Sequence, residues 1–319
     1  MTDGRFSAVR AQCAPAVLMV RPAHFGFNVQ TAHSNRFQRP PQDGASAEAA
    51  REEWAALAQA LREAGVRVCT VEDTEAPIKP DAVFPNNWVS FHDDGTIVLY
   101  PMQAANRRLE RRLEVLEAVE QELRFRCRHL LDLSREEEAG RYLEGTGSLV
   151  LDHIERVAYA CRSARTDESL VREWARALHY EAEVFDAAGP DGAPIYHTNV
   201  MLAIGARSAV ICSDSVLPGD RGRVLARLRA SGRELIEIDY AAMHDFAGNL
   251  LELRVPAPEG GTQSLLVMST RARAALGHER LSRIAAAVDR ILDVPLPTIE
   301  TVGGGGARCM LAEVPELRA

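Results

Sequence analysis

The sequence contains no run of 18 apolar residues, which excludes a transmembrane helix, and the start MTDGRFSAVRAQCAPAVLMV lacks the uninterrupted apolar stretch of a signal peptide. It contains no C-x-x-C pair. The six cysteines, Cys13, Cys69, Cys127, Cys161, Cys212 and Cys309, are scattered, so neither a zinc site nor a disulfide framework is signalled. Cys69, Cys127, Cys161 and Cys212 sit in or beside apolar runs and read as small buried hydrophobes. No basic stripe stands out. Arg107 to Arg112 alternates with Leu and Glu and reads as a solvated helix face, and the net charge of −8 argues against a nucleic-acid partner. Nor is there a Pro/Gly/Ser-rich linker to divide the chain; Gly303 to Gly306 is the one low-complexity segment. These absences leave a cytoplasmic protein with no membrane or nucleic-acid partner as the expectation. At 319 residues and 46% hydrophobic content, it can bury a large core.

What the chain does have is a repeat. Strand runs at 82–84 with 88–91 and at 96–101 precede a charged amphipathic pattern at 105–124 and a strand at 129–133. The same order, strand, strand, helix, strand, returns at 147–152, 156–162, 166–178 and 181–187, then at 197–205, 208–214, 219–231 and 234–239. It returns once more at 250–255, 264–270, 271–287 and 297–302. The N-terminal part supplies a strand at 16–20, a helix at 46–65 and a strand at 66–71. If 310–314 adds the missing strand, the units number five. The period of about 50 residues belongs to repeat architectures, whose units bury their faces only against neighbours. A closed radial array follows, with 1–319 as one α/β domain.

Four local patterns could carry chemistry. In GGGGARCML (303–311), four glycines allow positive φ and close backbone approach, and Cys309 follows them where a turn would expose it. In IYHTNVML (195–202), His197 opens an expected strand, and Asn199, two residues on, would face the same side. Glu144 precedes a Gly-Thr-Gly turn in LEGTGSLVL, and Asn86 and Asn87 interrupt the apolar run of VFPNNWVSF. Each of the last three reads alone equally well or better as an ordinary turn or edge residue. Their placement raises them: three lie at the start of a unit's first strand and the fourth at the end of the last unit, positions that converge at one end of the axis of a closed array.

These blocks together resemble the guanidine-modifying enzymes of the amidinotransferase and arginine deiminase superfamily. The nearest group is the citrulline-utilising hydrolases, through MVRPAHFGFN (19–28), FPNNW, EGTGS, HTNV and GGGGARC. The resemblance implies a five-bladed α/β propeller, the pentein fold. It also implies a hydrolase of carbon–nitrogen bonds with Cys309 as nucleophile, His197 as its acid–base partner and Glu144 accepting a substrate N–H. Where arginine deiminases carry F-T-R-D, this chain has Phe84-Pro85-Asn86-Asn87; for H-x-D it has His197-Thr198-Asn199. Both guanidinium-clamping aspartates are thus represented by Asn87 and Asn199. A guanidinium only donates hydrogen bonds, whereas an amide both donates and accepts and so suits a neutral ureido group. Citrulline is therefore the expected substrate, cleaved to ornithine, ammonia and carbon dioxide through a thiocarbamoyl enzyme. Alternatives are an arginine deiminase, a dimethylarginine dimethylaminohydrolase, an amidinotransferase, or a pentein that binds without catalysis. Substrate-binding candidates are Asn87, Asn199 and Asn86, with Arg165, then Arg107 or Arg108 (Arg108 preferred), and third Arg308, for an α-carboxylate. No cofactor and no metal are expected. The partner is a small amino acid, a homodimer is compatible with the sequence, and the 23–45 loop is a candidate cover for the site.

Overall fold

The computed structural model describes residues 11–41 and 47–318. The first ten residues of the leader reading, position 46 of the expected helix and positions 42–45 of the 23–45 loop lie outside the described residues. Fifteen strands form five three-stranded sheets. The first is built from both chain ends: β1 (Ala16–Arg21) and β2 (Arg67–Glu72) run parallel around helix α1 (Ala47–Glu63), and β15 (Ala312–Val314) pairs antiparallel with β1. The expected fifth unit therefore exists, completed by the C-terminal strand.

The other four units repeat this pattern in sequence order. They are β3 (Val89–Phe91), β4 (Thr96–Leu99), α2 (Leu113–Leu123) and β5 (His129–Asp132), then β6 (Val150–Asp152), β7 (Val157–Cys161), α4 (Glu168–Ala177) and β8 (Glu181–Phe185). Between them lies a single turn, α3 (Gly145–Ser148). Next come β9 (Leu202–Ile204), β10 (Ser208–Ile211), α5 (Pro218–Ala230) and β11 (Glu234–Glu237). After the short α6 (Tyr240–His244) come β12 (Leu251–Pro256), β13 (Thr262–Ser269), α7 (Thr270–Ala287) and β14 (Arg290–Val294). In every unit the first strand is antiparallel to the middle one, and the middle one is parallel to the last. First strands of neighbouring units touch, β15 with β3, β6 with β9 and β9 with β12, so they form the inner ring of a five-bladed α/β propeller.

Local chemistry explains the units. In α4, Leu170, Val171, Trp174 and Ala175 form one buried face at helical spacing, and Asp167 caps the N-terminus by accepting from the Leu170 N–H. Trp174 is fully buried and donates from Nε1 to the Tyr100 hydroxyl at 2.8 Å, tying the blade of β6–β8 to that of β3–β5. Truncating so large a buried ring costs about 3–5 kcal/mol in comparable cores. Middle strands such as β7 are buried along their whole length, which fits their uninterrupted apolar sequence.

Four sequence expectations change. Positions 82–84 form turns, not strand. The helix expected at 105–124 is a 3-10 stretch, Ala105–Glu110, broken at Arg111 before α2; Arg107 and Glu110 are buried, so this stretch is no solvated face. The last returning strand is β14 at Arg290–Val294, and 297–302 instead enters a wide helical turn at Ile299–Gly303, after Pro295 and Pro297 have ended the strand. His197 does not open a strand: Thr198–Val200 is a 3-10 turn and β9 begins at Leu202.

Candidate active site

That last change recurs around the ring. Short helical turns precede the first strands at Pro85–Asn87, Gly145–Ser148, Thr198–Val200 and Ala307–Met310. The propeller brings them together, and one narrow cavity is lined by Asn87, His197, Cys309 and Gly303 to Gly305, with Arg107 and Arg165. His197 and Asn199 thus approach the site through a turn, not by strand alternation.

His197 is 2% exposed and its Nε2 lies 2.8 Å from Glu144 Oε2. Burial alone would raise the Glu144 carboxyl, but Arg165, the His197 contact and Arg107 together pull it down to about 2. Ionised Glu144 can only accept, so Nε2 carries the proton and Nδ1 keeps its lone pair. Burial lowers the His197 pKa to about 4 against the opposing pull of Glu144. The imidazole is therefore a neutral base at pH 7. Glu144 Oε1 also accepts from the Gln103 N–H at 3.1 Å. Glu144 stands behind His197, away from the cavity wall, and not where the sequence reading put it, at a substrate N–H.

Cys309 is 4% exposed, and burial pushes its thiol above the ordinary range, although Asn249, Arg308 and Asn199 each pull it down. Asn199 Nδ2 is 3.7 Å from Sγ. Gly304 adopts φ +67°, and a Cβ there would lie 2.7 Å from Asn35 Nδ2, so the glycine run is needed for the turn and for the segment that crosses it. Gly147 is needed for room: a Cβ there would sit 2.4 Å from Asn87 Nδ2 and 2.7 Å from His197 Nδ1.

Arg107 is the buried cation of the second blade. It makes a bidentate pair with Glu110, both contacts 2.9 Å, and donates from Nη1 to Asn87 Oδ1 at 2.8 Å. This corrects the preference for Arg108. That side chain is 32% exposed, donates to the Met102 and Gln103 carbonyls and pairs with Glu137, clear of the cavity. Arg308 also turns away, to the Leu311 carbonyl and Glu313. Asn86 is fully buried but does not line the cavity; its carbonyl accepts from the Thr146 hydroxyl. Arg165 is buried, 3.5 Å from Glu144 and 4.9 Å from the Tyr196 ring centroid.

Part of the loop beginning at Ala23 lies against the site, with Asn35 lining the cavity. Ser34 Oγ and the Thr31 carbonyl accept from Arg165, Asn35 Nδ2 donates to the Gly303 carbonyl, and Asn28 Nδ2 donates to Asp81. Asp81 is the carboxylate that sequence reasoning missed. It lines the cavity, its Oδ1 has no hydrogen-bond partner among the described residues, and burial raises its pKa. Its clue was an acid three positions before Phe84, outside the F-x-x-N block. Asn249 was missed too, although it precedes β12 as Asn87 precedes β3. Among the described residues no three His, Cys, Asp or Glu side chains converge to hold a metal, and no helix is long and apolar enough to cross a membrane.

A five-bladed propeller with cysteine, histidine and carboxylate gathered at one end of its axis defines a pentein of the guanidine-modifying hydrolase class. Residues 21–316 match the model of one family, and the chain belongs to it: N,N dimethylarginine dimethylhydrolase, eukaryotic. Among solved structures it is similar to ArgZ, an arginine dihydrolase of cyanobacteria, at 18% identity and TM-score 0.72, over 94% of this chain and 40% of that one. Against the isolated N-terminal domain of ArgZ bound to substrate the coverage is 94% and 98%, with 18% identity and TM-score 0.71. It is also similar to the DDAH of Pseudomonas aeruginosa complexed with citrulline, at 16% identity and TM-score 0.63, over 94% and 99% of the two chains. The chain thus spans less than half of full-length ArgZ. No curated protein sequence matches it.

Proposed function

We propose that the protein hydrolyses the ureido group of citrulline, releasing ornithine, ammonia and carbon dioxide, and that residues 1–319 act as one catalytic domain in the cytoplasm. One observation carries the substrate: the Asn87 amide is oriented by Arg107, whose donation to Oδ1 leaves Nδ2 as a buried N–H donor without a partner among the described residues. A ureido oxygen satisfies that donor; a guanidinium has nothing to accept with. The ureido N–H groups complement the open oxygen of Asp81. Arg165 anchors the α-carboxylate once Ser34 yields, and Glu144 holds His197.

In the proposed reaction the Cys309 proton passes to His197 Nδ1 and the sulfur attacks the ureido carbon. The C–N bond to the ornithine amine breaks, and imidazolium supplies that amine's proton. Water then loses a proton to His197, adds to the thiocarbamoyl carbon and displaces the sulfur. The carbamic acid released decomposes to ammonia and carbon dioxide. Neither thiolate nor imidazolium predominates at rest, so proton transfer accompanies substrate binding. A second reading, an arginine substrate, draws on Asp81: a cation would complement its carboxylate. Steady-state kcat/KM for L-citrulline against L-arginine separates them. A higher value for citrulline supports the ureido reading, and a higher value for arginine replaces it.

A further inference from the structure

Asn249 is fully buried at the end of the turn between α6 and β12. Its Nδ2 lies 2.9 Å from the Asn199 carbonyl oxygen and 3.3 Å from Cys309 Sγ. A backbone carbonyl only accepts, so the amide must present its NH2 to both. Its Oδ1 is buried without a hydrogen-bond partner among the described residues. Such an orphan oxygen is costly, and structure alone gives no reason to keep it. The turn that delivers Asn249 is itself unusual. Phe246, an aromatic residue, adopts φ 63°, and its carbonyl accepts from the Asn249 N–H at 2.8 Å. Asn199 is less committed, with its Nδ2 at 3.7 Å and its Oδ1 at 3.8 Å from the same sulfur.

We propose that Asn249 is a catalytic residue whose amide N–H holds the Cys309 sulfur as thiolate. The inference rests on the reading of Cys309 as nucleophile and adds a donor from the neighbouring blade. A thiolate accepts that hydrogen bond better than a neutral thiol or a thioester sulfur does. The donor therefore favours the two moments at which sulfur carries the electron pair. In the first, the proton has gone to His197 and the C–S bond is about to form; in the second, water has added and that bond is breaking. It does not touch the substrate's amino-acid end, so it contributes to kcat and little to KM.

The test is the pH profile of Cys309 alkylation by iodoacetamide, read by mass spectrometry on the peptide that carries Cys309, so that the other five cysteines do not contribute. It is run on the wild-type protein, on Asn249→Ala and on the near-isosteric Asn249→Asp, each checked for native circular dichroism. Loss of the donor should move the Asn249→Ala midpoint up by about one pH unit, a roughly tenfold slower alkylation at a fixed pH below it. The carboxylate of Asn249→Asp should move it further. The kcat for citrulline should fall in both, with KM changed less than twofold. A midpoint unmoved in whichever variant folds overturns the proposal and leaves Asn249 a packing residue. If the wild-type protein hydrolyses neither citrulline nor arginine, the reading of Cys309 has failed, and the assignment of Asn249 as catalytic goes with it. If it hydrolyses citrulline and the midpoint stays, only the Asn249 proposal fails.

Discussion

Arg107 Nη1 donates to Asn87 Oδ1 across 2.8 Å, and that bond decides which end of the Asn87 amide is left for a ligand. An asparagine is ambiguous in a sequence because it can donate or accept. Here a buried arginine, which only donates, removes the ambiguity.

Substrate selectivity should follow from that bond. Asn87→Asp keeps the acceptor for Arg107 and replaces the N–H donor with a second acceptor. The kcat/KM for citrulline is expected to fall by about 10–100-fold, the cost of an unpaired buried polar group, while the ratio of arginine to citrulline turnover rises. An unchanged ratio in steady-state assays would detach Asn87 from specificity.

The two neighbouring arginines should behave differently. Arg107→Ala leaves Glu110 buried without its bidentate partner, a loss of about 3–5 kcal/mol in urea unfolding. Arg108→Ala should stay within about 1 kcal/mol of wild type, because that pair with Glu137 is partly exposed.

Two buried histidines should each add an acid-sensitive component to the stability of the fold. His197 is depressed by burial from 6.5 to about 4 and His92 from 6.5 to about 3. A depressed folded-state pKa means that the unfolded chain binds the proton first. Stability is thus full above pH 6.5 and is lost as pH falls toward 4 for His197 and 3 for His92. Glu144, depressed from 4.5 to about 2, adds loss of the same sign below pH 4.5. Glu110 and Glu300, both raised by burial to about 7, contribute with the opposite sign below pH 7, so the signature is a difference from wild type: His92→Asn and His197→Asn should each lose less melting temperature between pH 6.5 and 4. Variant curves that run parallel to wild type over that range contradict the buried neutral state of the rings.

Gly147→Ala tests the spacing of the site. The new methyl would press on Asn87 Nδ2 and His197 Nδ1 together. Activity should drop by about 10²-fold, as small displacements near a reacting group do, with a far smaller change in urea midpoint.

The repeat was legible in the sequence because each blade carries its own turn and period signals, and the fifth blade followed from counting what the N-terminal part lacked. Asn87, Glu144 and His197 stood out in the sequence because they precede the first strands of successive units, and Cys309 because it follows the glycine run at the end of the last one. Three features were not. The stretch 105–110 has helical composition, and only the tertiary contact of Arg107 with Asn87 shows that Arg107 and its partner Glu110 point inward. Asp81 stands three residues upstream of the block that drew attention, and the turn at 82–84 folds it back. Asn249 held the same repeat position as Asn87, but its flanks, Gly248 and Leu250, carry nothing that marks a site.

The central claim is tested most directly by identifying the products formed from L-citrulline by the wild-type protein and by Cys309→Ala. Ornithine from the wild type and none from the variant is the predicted result. Ornithine formed equally by Cys309→Ala, or none formed by the wild type while L-arginine is consumed, would contradict it.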